Sequence, residues 1–105
     1  MQDSDKADIL TEIAAQVLSA GASKFQVEYE DGQEQVSVLH GSVGFGIASL
    51  QSASDQAQEL RAQLYKAKKR PRKLTIDGGD YLLHVEIFAS FGEDAFRGRI
   101  TRFKE

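Results

Sequence analysis

The sequence predicts an α+β domain: a single antiparallel sheet of four to six strands with two helices on one face. Two segments carry apolar residues at helical spacing, and the remaining apolar residues alternate with polar ones, as in half-buried strands. Asp-Gly pairs between alternating segments are typical of hairpin turns. The predicted order is α-β-β-α-β-β-β. Because 105 residues suffice for one core, we expect a single domain over residues 1–105, frayed at 1–4 and 104–105.

The elements of the first half follow from spacing and from local cap and turn residues. In chain order they are a helix at residues 5–20, strands at 24–30 and 34–40, and a glycine-rich segment at 41–54 that is compatible with a short strand at 43–48. Ser4 or Asp5 is placed to cap the helix, and Gly21 is placed to end it. Asp31-Gly32 joins the two strands in a predicted hairpin.

The second half repeats this order of elements with different residues. In chain order we expect a helix at 54–69, a short strand around Leu74 and Ile76, a long strand at 81–91 and a last strand at 95–103. Ser54 is the expected helix cap, and Pro71 ends the helix because the residue before a proline disfavours helical backbone. Alternation predicts that Tyr29 and Phe91 point inward. Gly92-Glu93-Asp94 is the predicted turn before the last strand.

The motifs required by several reaction classes are missing. Without cysteine, the chain has no disulfide, thiolate nucleophile or cysteine metal site. The segment Gly41–Gly46 lacks the Gly-Lys-Ser/Thr of a phosphate loop, and its match to the GxxG of KH domains is short, so we favour a structural loop. His40 and His84 lie on separate predicted strands with no acidic residue at ligand spacing. We therefore expect a protein that is not an enzyme and holds no cofactor or metal.

The N-terminal residues lack the features of a secretory signal. Met1 to Asp5 are acidic, and no apolar region follows them, unlike a signal peptide. No segment approaches the roughly 18 apolar residues of a membrane-spanning helix. The expected location is cytoplasmic, with no membrane span.

Charge is distributed unevenly along the chain. Residues 1–60 carry ten acidic and two basic side chains, whereas residues 61–105 carry six acidic and eleven basic ones. The asymmetry predicts an interaction face for an anionic partner, or head-to-tail self-association. The alternative is a solvated helix end, where cations complement the helix dipole. The cations assigned to the candidate face are Lys66, Lys68, Lys69, Arg70, Arg72, Lys73, Arg97, Arg99 and Arg102.

Several short strings occur in the same order as in one known family. They are GASKFQVE from Gly21 to Glu28, Glu30-Asp31-Gly32, His40-Gly41, Lys68-Lys69-Arg70-Pro71, and Ser90 with Gly92-Glu93 before Arg97 and Arg99. Together with the order of elements, they resemble the domain that precedes the P-loop core in the bacterial-type type II secretion and type IV pilus assembly ATPases. The similarity extends over about residues 7–101, and the chain has no P-loop core.

The chain departs from that family at positions that bear on function. Lys24 and Gln26 stand where the family has aspartate and histidine, and Phe88 stands where it has an arginine. The resemblance implies that arginines of this domain approach a nucleotide bound to the motor core. Arg97 and Arg99 are the remaining candidates for that role.

The sequence therefore supports two candidate functions. The first is a non-enzymatic adaptor module, resembling the pre-core domain of the secretion and pilus ATPases, that binds a protein partner through its sheet edge and basic face. The partner in this case is either another protein or a second copy of the chain. The alternative is a small nucleic-acid-binding domain that uses the basic run at 66–73 and the C-terminal arginines. The sequence pI of about 5.4 favours the first.

Overall fold

The computed structural model describes residues 8–103, so the frayed ends predicted at 1–4 and 104–105 lie outside the described part. Its elements, in chain order, are α1 (Ile9–Ser19), β1 (Lys24–Glu30), β2 (Gln33–His40), β3 (Val43–Gln51), α2 (Asp55–Lys69), β4 (Arg72–Ile76), β5 (Gly79–Ser90) and β6 (Glu93–Arg102). The strands form one open antiparallel sheet in the order β3-β2-β1-β6-β5-β4. The predicted α+β class, with two helices and a single antiparallel sheet, is confirmed.

The strand β3 is the element that the predicted order α-β-β-α-β-β-β lacks. It pairs with β2 along its whole length, from Gln51 opposite Gln33 to Val43 opposite His40. The register shifts by one residue near Ile47. Gly44 and Gly46 weaken the local strand signal, because glycine has little intrinsic preference for extended backbone. Pairing with β2 overrides that weakness.

One hydrophobic core unites both helices with alternate residues of the strands. Its largest fully buried side chains are Phe25, Phe96, Leu10, Leu60, Leu64 and Leu83, with Val17, Val27 and Val36. The strand residues among them occupy every second position, as side chains on one face of a sheet must. The intervening strand residues lie on the opposite face, which is where most of the candidate site lies.

Asp8 caps α1, and the predicted caps Ser4 and Asp5 lie outside the described residues. The Asp8 carboxylate accepts a hydrogen bond from the backbone N–H of Thr11 at 2.9 Å and pairs with Arg72 at the start of β4. The cap lies at the residue before the first helical turn because that position satisfies free N–H groups. Burial raises the pKa of the Asp8 carboxyl, but hydrogen bonds from Thr11 and Arg72 and the charge of Arg72 outweigh burial, and this pKa lies below its ordinary value.

Asp8→Ala is expected to lower the free energy of unfolding at pH 7 by about 1 kcal/mol, since it removes the helix cap. The depressed pKa means that the carboxylate stabilises the fold above the unfolded-state pKa, and that this contribution disappears as pH falls through the folded-state pKa. Urea unfolding at stepped pH should therefore show the gap between wild type and variant narrowing in acid. Asp8→Asn, which keeps a capping side chain, should recover most of the loss at pH 7. A gap independent of pH would contradict this account.

Three hairpin turns share one backbone conformation but differ in their first residue. Both turn residues have positive φ in Asp31-Gly32 (52° and 78°), Asp77-Gly78 (51° and 79°) and Phe91-Gly92 (52° and 81°). The last turn lies one residue before the predicted Gly92-Glu93-Asp94 turn. It removes Phe91 from the strand and leaves this side chain 100% exposed, so its predicted inward position is wrong. Tyr29, also predicted inward, is 39% exposed.

Candidate functional site

The face of the sheet opposite the core carries a cluster of cations. Because Phe25 and Val27 are buried in the core, the alternate residues Lys24 and Gln26 of β1 point the other way. We call this surface the outer face. The register of β1 with β6 sets Lys24 directly opposite Arg99, and Gln26 opposite Arg97. The sheet thus brings Lys24, Arg97 and Arg99 together, and we call these three residues the cation cluster.

The cation cluster contains one pair of like charges directly opposite each other on neighbouring strands. Directly opposed side chains on neighbouring strands have Cβ atoms about 4.5–5.5 Å apart, and like charges at such positions destabilise a sheet. Lys24 and Arg99 are such a pair, whereas Arg97 lies diagonally from Lys24 and directly opposite Glu86 of β5. Within residues 8–103, no carboxylate oxygen lies within 4.0 Å of a side-chain nitrogen of any of these three residues. A bound anion would relieve the repulsion.

The neighbours of the cation cluster fix its geometry. Arg97 stacks over the ring of Phe88, with its guanidinium carbon 4.7 Å from the ring centroid, and donates a hydrogen bond to Gln26 Oε1 at 3.2 Å. A concavity of about 170 Å³ lies over the cluster, and its lining includes His84 and Glu86 from β5. The guanidinium of Arg97 is therefore held in place while one side of the cluster stays open.

The remaining cations predicted for the interaction face lie in several places. Lys73 shares the outer face with Arg97 and Arg99, and its Nζ lies 4.5 Å from the ring centroid of Phe103. Arg72 pairs with Asp8 and donates a second hydrogen bond to Thr11 Oγ1 at 3.4 Å. Arg72 thus joins α1 to β4.

The other members of the basic run lie on α2. Lys66, Lys68 and Lys69 form its last turn, and Arg70 is its C-cap. Cations at this end complement the partial negative charge of the helix C-terminus. Arg102 lies near the end of β6, with its guanidinium carbon 5.3 Å from the ring centroid of Tyr81. Of the run at 66–73, only Lys73 therefore joins Arg97 and Arg99 on the outer face.

Lys24 is the site residue that sequence reasoning missed. Its position on the polar side of β1 follows from alternation, but its place opposite Arg99 depends on pairing between β1 and β6. That pairing links strands near the two ends of the chain. A lysine at the start of the predicted strand, on its polar side, was the available signal.

The strand β3 forms an unprotected edge of the sheet. It has nine residues with no charged side chain, and Val43 and Phe45 are 53% and 54% exposed. The opposite edge strand, β4, is shorter and carries Arg72 and Lys73. Edge strands that lack charge are open to pairing with another extended chain. A depression of about 370 Å³ runs between the cation cluster and the β2–β3 turn at residues 41–42.

A polar network on the core side of the sheet contains the buried Glu34 and the exposed pair of Tyr65 and Asp94. The Glu34 side chain is 3% exposed, lies 3.4 Å from Nη1 of Arg61 and accepts a hydrogen bond from Ser52 Oγ at 2.8 Å. Tyr65 donates to Asp94 Oδ2 at 2.7 Å; this hydrogen bond, with a smaller effect of burial, raises the pKa of Tyr65. The network ties α2 to β2 and β6. We assign it a structural role.

No protein-family model matches the chain, and no curated protein matches it significantly. Across residues 8–103, no three histidine or acidic side chains are grouped so that they could hold a metal ion. None of the helices in that part of the chain is long and apolar enough to cross a membrane.

Proposed function

We propose that this protein is a non-enzymatic interaction module that binds an acidic protein segment on its outer face, similar in role and fold to the pre-core domain of the secretion and pilus ATPases. The observation that carries the proposal is the cation cluster of Lys24, Arg97 and Arg99. The proposal takes both helices to cover the core face, which leaves the outer face free. This arrangement is supported by the single hydrophobic core, which includes residues of both helices.

The spacing of the cluster favours an extended partner. Arg97 and Arg99 are alternate residues of one strand, about 6.8 Å apart along it. An extended peptide with carboxylates at alternate positions has the same repeat. Arginine binds carboxylates with two parallel hydrogen bonds, and Lys24 adds a third positive charge beside them. An acidic strand laid along β6 on the outer face would therefore place carboxylates at Arg97 and Arg99 in register, with Lys24 beside Arg99.

The edge of the sheet provides a second contact for the same partner. The depression beside Lys24 and Arg97 leads past Leu39 to the turn before β3. A segment that leaves the cation cluster along this path arrives at the start of β3, where Val43 is exposed. Addition to that strand would satisfy its free backbone groups. In the proposal, the cations select an acidic partner and the edge strand adds backbone hydrogen bonds.

The combined change Lys24→Gln and Arg99→Gln is expected to weaken binding of a peptide with alternating glutamates about 10-fold at low salt. Exposed ion pairs contribute about 0.2–1 kcal/mol each, and two are lost. Fluorescence anisotropy with a labelled peptide measures the change. The matched control is Lys68→Gln with Lys69→Gln, which removes the same charge from α2. Equal weakening by both pairs would show that binding depends on overall charge and would contradict the proposal.

A nucleic acid is the second candidate partner, because phosphates also complement the cation cluster and Lys73 shares its face. In that case log K should fall by about 0.9 for each phosphate neutralised per tenfold rise in salt. Phe88, the aromatic beside the cluster, is covered by Arg97, which leaves little surface there for base stacking. We therefore favour the acidic protein segment. Tighter binding of single-stranded RNA or duplex DNA than of the peptide would reverse that preference.

A further inference from the structure

The β5–β6 turn exposes a phenylalanine in a conformation that phenylalanine disfavours. Phe91 has φ of 52° and is fully exposed, while the equivalent position in the other two turns of this type is aspartate. Turns with positive φ at both central residues strongly prefer asparagine, aspartate or glycine. The left-handed region is sterically unfavourable for other residues that carry a Cβ. Stability of the isolated domain thus gives no reason for a phenylalanine here.

The surroundings of Phe91 are aromatic and acidic. Phe91, Tyr29, Glu30, Asp31 and Glu93 line a depression of about 260 Å³. Beside this depression, Ser90 donates a hydrogen bond to Glu28 Oε2 at 3.0 Å. We call the two adjacent turns with these residues the acidic tip. It presents one exposed apolar anchor within a group of carboxylates, which is the arrangement expected of a surface that docks on a cationic partner.

We propose that the acidic tip of one molecule docks on the outer face of a second copy, forming a head-to-tail contact. The proposal rests on the outer face described above and names one acidic segment that it binds. Glu30, Asp31 and Glu93 would meet the cation cluster. Phe91 would enter the depression lined by Leu39, Gly41 and Ser42, which is about 370 Å³ in volume.

Geometry requires that this contact join two molecules. The cations at Arg97 and Arg99 lie five to seven residues along β6 from Gly92. At about 3.4 Å per residue, they are roughly 17–24 Å from the tip of the same sheet. A molecule therefore cannot place its own tip on its own cation cluster. Because the two surfaces differ, a linear assembly has a free acidic tip at one end and a free outer face at the other, and association is heterologous.

Sedimentation velocity over a range of concentrations tests the proposal. The average mass of the wild type should rise with concentration and fall with added salt, since the contact is largely between charges. Phe91→Asn should weaken association about 30-fold or more, as expected for loss of a central anchor. The same variant should be at least as stable as wild type in urea, because Asn-Gly suits this turn. A loss of association therefore cannot be attributed to unfolding.

A mixing experiment separates this contact from other modes of association. Phe91→Asn retains an intact outer face, and the variant Lys24→Glu with Arg99→Glu retains an intact acidic tip. Each alone should be monomeric, and their mixture should form a 1:1 heterodimer and nothing larger. A wild type that stays monomeric at all concentrations and low salt would overturn the proposal. So would association that survives Phe91→Asn, or that is lost only in Phe45→Glu on the β3 edge.

The acidic peptide distinguishes this inference from the proposed function. On the monomeric Phe91→Asn variant, the peptide should bind as tightly as on wild type or tighter, because no tip competes for the outer face. Peptide binding without self-association would support the interaction module and overturn the head-to-tail contact. Self-association that requires Phe91 and Lys24, without peptide binding, would support the contact and contradict docking of other acidic segments.

Discussion

Arg61→Met is expected to lower the free energy of unfolding by about 3 kcal/mol, the lower end of the range for breaking a buried ion pair, because the Arg61 side chain is 26% exposed. Arg61 lies 3.4 Å from the Glu34 carboxylate, which is buried on the core side of β2. Without Arg61, the carboxylate keeps a hydrogen bond from Ser52 but loses its cationic partner. An uncompensated buried charge costs several kcal/mol, and the methionine side chain cannot offset it. Urea unfolding at neutral pH measures the loss.

Two controls separate the buried charge from lost packing. Glu34→Met combined with Arg61→Met removes both charges, and it should be more stable than Arg61→Met alone because no unpaired carboxylate remains. Arg102→Met removes an exposed arginine of the same size and should change stability by less than about 0.5 kcal/mol. If the double variant were less stable than Arg61→Met, the account of Glu34 as a paired buried charge would be wrong.

Gly98→Ala is expected to destabilise the fold by about 1–3 kcal/mol or more through overpacking. A Cβ at this position would lie 2.3 Å from two ring carbons of Phe25, far inside contact distance. The ring of Phe25 is fully buried and β1 pairs with β6 at this point, so neither group can move freely. Thermal and urea unfolding should both register the loss.

Gly46→Ala is the matched control for this prediction. It lies in an edge strand, and an added Cβ meets nothing within 4 Å, so the change should stay within about 0.5 kcal/mol. Phe25→Leu should restore part of the stability of Gly98→Ala, since a smaller side chain makes room for the methyl group. Equal effects of the two glycine substitutions would contradict the clash between Gly98 and Phe25.

Local features of the fold were predictable because their causes are local. Alternation placed β1 at residues 24–30, the bounds that the structure shows, and Ser54 caps α2 as expected. Asp8 was not predicted as the cap of α1, because the sequence offers several capping side chains close together. The strand β3 was predicted weakly, since pairing with β2 rather than its own glycine-rich sequence makes it extended.

Phe91 shows where alternation misleads. The apolar pattern of β5 runs from Leu83 through Val85 and Ile87, and it continues in phase to Phe91. The alternation of apolar and polar residues does not show where a strand ends. The turn at Phe91-Gly92 takes the phenylalanine out of the strand, and turn preferences alone would have selected a different pair of residues. A residue that breaks a local rule in this way is a candidate for a functional position.

In the candidate site too, some residues could be predicted from the sequence and others could not. The spacing of Arg97 and Arg99 on one strand predicted that they share a face, and this follows from the sequence alone. Lys24 joins them only through pairing of the first and last strands, a contact between distant parts of the chain. The basic run at 66–73 is contiguous in sequence, yet the end of α2 separates Lys66 to Arg70 from Lys73 on the outer face.

An NMR titration of the ¹⁵N-labelled Phe91→Asn variant with the alternating-glutamate peptide shows whether an acidic segment binds the cation cluster. The largest shifts are expected at the backbone amides of Lys24, Arg97 and Arg99 and along β3 from Val43, with little change in α2. Largest shifts at Lys66 to Arg70, with the cation cluster unchanged, would contradict this expectation.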